Sequence, residues 1–285
     1  MSEPVMKKVK GDGVRINLAI WEGDGKNILC VHGITANCRC WDVLASALAP
    51  QHRVFAMDLR GRGQSEKPAT GYALEHHMRD INCLLDDMGV DRVVIMGHSL
   101  GAFIALAFGA EYAHRVDRLI LVDGGGDLSQ EQLDNVFVGI KPALDRLGQV
   151  FPSEEAYLKK MSEAPYIQPW SSAIETYYRN EIEPVEGGVR TNIQPAHIQE
   201  EAINIRKVKC APFYHKVKSK VLILRAANGL LSQDDILLPE DVIDKMIREV
   251  PDARRFDVIG MNHYGIIFQF HAARDQTIRD FLEES

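Results

Sequence analysis

Short continuous apolar runs alternate along this chain with stretches whose apolar residues recur every three or four positions. The continuous runs are "NILCVHG" (27–33), "RVFAMDLRGRG" (53–63), "RVVIMG" (92–97) and "VDRLILVDGGG" (116–126). Apolar at successive positions and closed by glycine, each predicts a strand buried on both faces. "VRINLAIWEG" (14–23) alternates apolar with polar residues and predicts a half-exposed strand. Among the helical patterns, "WDVLASALAP" (41–50) is stopped by Pro50. "ALEHHMRDINCLLDDMG" (73–89) sets Leu74, His77, Met78, Ile81, Leu84, Leu85 and Met88 on one stripe, with Gly89 as the C-terminal cap. "SLGAFIALAFGAEY" follows the third strand run as a helix. Strands and helices in alternation predict an α/β fold, a doubly wound, mainly parallel sheet wrapped by helices.

From residue 128 to 216 the rhythm breaks. This stretch holds several helical patterns ("SQEQLDNVFVGIKPALDRLG", "SEEAYLKKMSEA", "SSAIETYYRNEI", "AHIQEEAINIRK"), prolines at 152, 165, 169, 184 and 195, and no buried-strand run. It predicts an all-helical insertion. Beyond it "KVLILRAANG" and "ARRFDVIGMNH" resume the strand pattern, with helices over "PEDVIDKMIREV" and "HAARDQTIRDFLEE". The expected organisation is a core of residues 1–127 and 217–285, interrupted by a cap at 128–216.

Composition narrows the functional classes. The 285 residues are 46% hydrophobic and 26% charged, enough to bury one sizeable core. The net charge of -7 describes an acidic surface, and the absence of a basic stripe with interleaved aromatics argues against nucleic-acid binding. The start "MSEPVMKKVKGDG" lacks the apolar core of a secretory signal, and the longest near-apolar run, "LGAFIALAFGA", is too short to span a bilayer. The five cysteines (Cys30, Cys38, Cys40, Cys83 and Cys210) are odd in number and scattered, with no metal-ligand spacing. They read as reduced thiols in a cytoplasmic protein, with no metal and no cofactor expected, and either a monomer or a homodimer.

The chemistry centres on "GHSLG" at 97–101, a G-x-S-x-G pattern between a buried strand and an amphipathic helix. A strand-to-helix turn this sharp strains its central residue, and Gly97 and Gly101 make room for it. Ser99 is then held above the carboxyl edge of the sheet as a nucleophile, with the first N–H groups of the new helix beside it. Of ten histidines, His52, His114, His197, His215 and His271 read as exposed, while His76 and His77 read as helix-boundary residues. His98 is expected beneath the turn. His263, after the last strand in "FDVIGMNHYG", returns to the same edge and is the expected base.

On these motifs the chain resembles the α/β-hydrolase superfamily, its cap-bearing serine esterase and lactonase branch, over essentially its whole length. "VHGITANCRCW" resembles the family's H-G loop, and "MDLRGRGQSEKP" its D-x-R-G-x-G-x-S segment. The resemblance implies an eight-stranded sheet, a Ser-His-acid triad, and an oxyanion hole built from the backbone N–H groups of Ile34 and Leu100. It gives His32 a role in loop geometry. Dehalogenases and cap-type epoxide hydrolases of the superfamily carry Asp where this chain has Ser99, which excludes their chemistry.

The acid departs from the family pattern. In most members it follows the strand after the cap in a G-x-x-D turn; here "LILRAANGLLSQDD" puts Ala226 for the glycine and Gly229 in the acid's place. Asp123, at the end of the strand before the cap, is the expected triad acid, as in a minority of the superfamily. Asp234 or Asp235 folding back from the later loop, and Asn228 through a neutral hydrogen bond, are the alternatives. Phe137, Met161, Tyr166, Trp170 and Tyr177 are candidate pocket residues of the cap, implying a small to medium hydrophobic ester or lactone as substrate. Hydrolysis of a C–C bond in a meta-cleavage product, and a hydrolase-fold receptor with little turnover, are the competing readings.

Overall fold

The computed structural model describes residues 3–231 and 235–284. Among these the strands are β1 (Val5–Lys10), β2 (Arg15–Trp21), β3 (Asn27–Val31), β4 (Arg53–Met57), β5 (Val93–His98), β6 (Val116–Val122), β7 (Val150–Phe151), β8 (Ile182–Val185), β9 (Gly188–Thr191), β10 (Lys220–Ala226) and β11 (Ala253–Val258). Eight of them form one sheet in the order β1-β2-β4-β3-β5-β6-β10-β11. Pairing is antiparallel at β1–β2 and β2–β4 and parallel from β4 through to β11.

The continuous apolar runs become strands because both faces of the sheet are covered. In β5, Val93 and Ile95 join one apolar layer while Val94 and Met96 join the other. In β6, Leu119 and Leu121 divide from Ile120 and Val122 in the same way. A side-chain period of two turns an unbroken apolar run into two buried faces. The helix Leu100–Glu111 that follows β5 is buried at nine of its twelve positions. Expected to be amphipathic, it is instead apolar all round, and a helix of this kind is held inside the fold and does not lie on its surface.

Two further expectations are corrected, and one strand has no counterpart among those expected. The strand expected to be half-exposed, β2, is buried from Ile16 to Trp21, because its polar member Asn17 faces inward and donates to Asp58 (2.8 Å). The outer edge beside it is β1, which carries Lys7, Lys8 and Lys10, has five of six residues exposed, and offers no apolar run to read. Charged edge strands of this sort discourage pairing with other chains. The stretch between β6 and β10 is not all-helical. Besides helices such as Gln130–Gly139, Glu154–Ser162, Ser172–Asn180 and Pro195–Ile205, it contains a three-stranded antiparallel sheet in the order β7-β9-β8. Its strands are two to four residues long, too short for a periodicity to register. The Glu186-Gly187 turn between Val185 and Gly188, a hairpin signal, was legible. Serines at 129, 153 and 171 cap the starts of three of these helices by accepting a backbone N–H.

The loops after β3, β5, β6 and β11 all leave the carboxyl edge of the sheet, and the crevice there opens where the strand order departs to either side of β3. Two glycines make that edge possible. A Cβ on Gly97 would lie 2.0 Å from the carbonyl oxygen of Gly101, and one on Gly101 would lie 2.0 Å from that of Val31. Gly109, in the same helix as Gly101, has only the Leu119 methyl at 3.4 Å. Gly101→Ala is therefore expected to cost roughly 3 kcal/mol or more by displacing backbone. Gly109→Ala should be neutral or add up to about 1 kcal/mol through helix propensity. Urea unfolding of the two variants measures the contrast, and equal destabilisation would refute it.

Candidate active site

Ser99 sits at the turn from β5 into the helix with φ 56° and ψ −120°, a conformation that a non-glycine residue keeps only when its surroundings enforce it. The enforcement is visible. The Ser99 N–H donates to the Val122 carbonyl (3.1 Å) and the Ser99 carbonyl accepts from Ala102 (2.9 Å). Leu100 opens the helix, so its N–H has no carbonyl one turn back and points out of the helix end.

Asp123 directly follows β6 and also has positive φ, 47°. Its N–H extends the β6–β10 ladder to the Leu224 carbonyl (2.8 Å), and its carboxylate bridges two elements. Oδ1 accepts from the Ala226 N–H at 3.0 Å, and Oδ2 lies 2.7 Å from His263 Nδ1. Both side chains are buried, Asp123 at 1% exposure and His263 at 3%. A carboxylate on Nδ1 puts the imidazole proton there and leaves Nε2 as the free acceptor.

His98 completes the support. Its ring lies 4.3 Å from the His263 ring, tilted by 31°, and its Nε2 is 2.9 Å from the His263 carbonyl. Burial, together with the His263 ring, pushes the His98 imidazole well below its usual range, so it stays neutral and donates through Nε2. The expectation that it packs beneath the turn agrees with this position; its contact with the His263 loop was not read from sequence.

The rival acids lie elsewhere. Asp235 accepts the N–H groups of Leu230 (2.6 Å) and Leu231 (2.7 Å), capping its own loop. Asn228 is exposed and its backbone N–H donates to Met261 (3.0 Å). Asp234 lies outside the described residues. Among the histidines, two expected on the surface are buried. His52 is 4% exposed, and His197 is stacked on Tyr72 at 4.6 Å between centroids. His77, set on the apolar stripe of its helix, is fully buried with Nε2 2.6 Å from Glu201, a partner distant in sequence that no local pattern announced.

Two small compartments meet at Ser99. One is apolar, lined by Phe103, Leu128, Leu133, Val136, Phe137, Ile205 and Leu237. The other holds His263, His98, Thr35, Tyr177 and Tyr264. Ile34 and Ile140 border both. No Lys or Arg is among the described residues lining either. Burial raises the Tyr177 and Tyr264 phenols far above their usual value, so both remain neutral. Of the five cap residues named from sequence, Phe137 and Tyr177 reach these compartments. Met161 and Tyr166 pack in the second core layer, and Trp170 stacks on Tyr178 (5.6 Å). The spacing Leu133, Val136, Phe137, Ile140 (i, i+3, i+4, i+7) marked one apolar helix face and was the signal that finds the rest of the wall. All five cysteines are free thiols, and the described residues hold no His/Cys/Asp/Glu group able to take a metal ion. No described helix is long and apolar enough to cross a membrane.

Comparison with known proteins places this geometry in context. A family model described as alpha/beta hydrolase fold matches residues 26–270. The chain is 30% identical over 251 residues to a 2-(acetamidomethylene)succinate hydrolase of Mesorhizobium japonicum, covering 88% of this chain and 86% of that protein. It is 28% identical over 252 residues to a 3-hydroxybutyrate-oligomer hydrolase of Cupriavidus necator, covering 81% and 83%. The solved structure of E-2-(acetamidomethylene)succinate hydrolase superposes with a TM-score of 0.86 at 25% identity, over 99% of this chain and 100% of that one.

His32 offers a test of the loop beside Ser99. Its Nδ1 is 2.7 Å from the Gly33 carbonyl and its Nε2 accepts the Leu59 N–H (3.0 Å), an arrangement only the neutral ring can make. Burial lowers its pKa to about 4. The unfolded ring titrates near 6.5, so between about 6.5 and 4 the unfolded state binds the extra proton and stability falls as pH falls. This site is expected to remove roughly 3 kcal/mol across that window. Denaturant unfolding from pH 7.5 to 4.5 should show a shallower acid limb for His32→Gln than for the native chain; parallel limbs would contradict the assignment.

Proposed function

The chain belongs to the α/β-hydrolase fold family, and from that premise we propose a serine hydrolase that cleaves a small, hydrophobic carboxylic ester or lactone through an acyl-enzyme. One observation carries the reading: His263, paired with the buried Asp123, borders the same compartment as Ser99, with an uncharged apolar cavity on the other side of Ser99. In this mechanism Ser99 Oγ attacks the carbonyl carbon while His263 Nε2 takes its proton. The oxyanion develops against the Ile34 and Leu100 N–H groups, and Asp123 stabilises the imidazolium. His263 then returns the proton to the leaving oxygen. Water follows the same route, with His263 as base, to release the acid.

The position of the base assigns the two compartments. Because His263 must protonate the leaving oxygen, the alcohol lies on its side, against Tyr177 and Thr35. The acyl chain then occupies the apolar side. That cavity has a volume of about 50 Å³, well under the ~150 Å³ that accommodates a benzene ring, which favours short acyl chains. A 2-(acetamidomethylene)succinate carries two carboxylates, and the absence of a cation among the described lining residues favours a neutral substrate for this chain. The same absence weighs against the acidic substrates of meta-cleavage C–C hydrolases. The carboxylate already seated on His263 weighs against a receptor without turnover.

A panel of p-nitrophenyl esters tests the reading. Acetate and butyrate are expected to exceed octanoate at least about tenfold in kcat/KM, in line with the cost of misfitting a few methylenes. A fluorophosphonate should label the native chain and not Ser99→Ala. Asp123→Asn should lower kcat by about 1,000-fold or more, while Asp235→Asn keeps near-native turnover. An unlabelled native chain, or an Asp123→Asn enzyme of normal rate, would refute it.

A further inference from the structure

Three successive carbonyls in the loop after β3 are turned onto donors. Gly33 O accepts from the Ala36 N–H (3.1 Å) and lies against His32 Nδ1. Ile34 O accepts from Arg62 Nε (3.0 Å), and Thr35 O accepts from Arg146 Nη2 (3.0 Å) and from the Tyr177 hydroxyl (3.4 Å). In a trans peptide the C=O and the following N–H point opposite ways. Holding Gly33 O therefore aims the Ile34 N–H the other way, and holding Thr35 O aims the Ala36 N–H that keeps Gly33 O in place.

Both guanidinium groups are almost fully buried, at 0% and 3% exposure, and each has its own glutamate. Arg62 pairs with Glu201, whose second oxygen is 2.6 Å from His77; Arg146 meets Glu181 through two bonds of 2.8 Å. Arg62 also donates to the Arg60 carbonyl (2.9 Å). Glu201 stands on the helix Pro195–Ile205, and Arg146 and Glu181 also come from the stretch between β6 and β10. A buried ion pair adds little net stability over well-packed apolar residues of the same volume. Two such pairs converging on consecutive carbonyls of one four-residue turn therefore call for a role other than stability. Direction is what a guanidinium supplies, since its planar fork fixes several donors at once.

We infer that Arg62 and Arg146 are positioning residues that orient the oxyanion-binding turn at Ile34, and that Glu201 and Glu181 make this orientation depend on the seating of segment 128–216. The inference rests on the proposed role of the Ile34 N–H. Seated, the segment brings both glutamates and Arg146 to the turn. Displaced, it leaves Arg62 without its counter-charge and Thr35 O without the Arg146 donor, and the turn loses its constraint.

The test reads the turn without relying on the ester preference. The rate of Ser99 phosphonylation by a fluorophosphonate is measured for the native chain, Arg62→Lys, Arg146→Lys and the charge-free pair Arg62→Met/Glu201→Leu. Each is also assayed for kcat and KM per titrated site and for phenylboronic acid affinity. Lysine keeps the counter-charge to glutamate but loses the fork. The variants should fall about 10- to 100-fold in phosphonylation rate, kcat and boronate affinity together, with KM within about twofold because ground-state binding is untouched. A purely structural role predicts lowered melting temperature with native rates per titrated site, most plainly in the two lysine variants, and that result would overturn the inference. A native chain that resists phosphonylation overturns the Ser99 assignment and the inference with it. A native chain that is phosphonylated but hydrolyses no ester of the panel overturns only the substrate reading.

Discussion

The carboxylate of Asp123 is the tie on which the site depends. One oxygen is bound to the Ala226 N–H at the end of β10 and the other to His263 Nδ1 beyond β11, while its own N–H continues the ladder to Leu224. Three chain segments far apart in sequence are thus referred to one residue, and Ser99 is referred to it as well, because its N–H binds Val122, the residue before Asp123. Ser99 and Asp123 follow the adjacent parallel strands β5 and β6, whose pairing sets their spacing, and the His263 loop beyond β11 is tied to them through Asp123. Placing such groups on rigid strand termini keeps their geometry tighter than loops alone can. The strain at both positive-φ residues, Ser99 and Asp123, is sustained by those same ladder bonds.

What could be read from sequence follows how local each determinant is. Runs such as "VVIMG" and "LILV" carry their own burial pattern, so the central strands were legible; β1, with three lysines in six residues, was not, because an edge strand needs only one covered neighbour. Ser99 was legible because its glycines, strand and helix are contiguous. His263 followed from its place after the last strand. For the partner of His263 the sequence favoured Asp123 but left Asp234, Asp235 and Asn228 as alternatives, since the pairing depends on β6 and β10 being neighbours, a property of strand order with no local signature. The same holds for Arg62 and Glu201 or His77 and Glu201, whose contacts join the loop after β4 and the helix Leu74–Asp87 to the helix Pro195–Ile205. His52 and His197 were misjudged for one reason: a polar residue in a helix or loop looks exposed until its partner is known.

The distribution of polarity around Ser99 is uneven. Toward Leu133, Val136 and Phe137 the surroundings are apolar. Behind the turn at Ile34 lie two guanidinium–carboxylate pairs and the buried His32 and His77, while the buried His98 lies against the His263 ring. Charges and dipoles that are fixed before the substrate arrives need not reorganise as an oxyanion forms, and in a medium with little water each acts more strongly than it would in solution. The apolar wall excludes water, and the polar layer behind the turn supplies the orientation.

These two layers also explain why the histidines near the site must remain neutral. A proton on His32 would set two donors against each other at Leu59 N–H, and a proton on His98 would place a cation 4.3 Å from the ring of His263. In the proposed mechanism, that second cation would oppose formation of the His263 imidazolium when Ser99 is deprotonated. Burial prevents it by holding His98 well below its usual range. The neutral ring still donates its one N–H to the His263 carbonyl, so it anchors the His263 loop without adding a charge beside it. Neutrality and hydrogen bonding at residue 98 are therefore a single requirement, and an aromatic hydrocarbon in its place would meet only half of it.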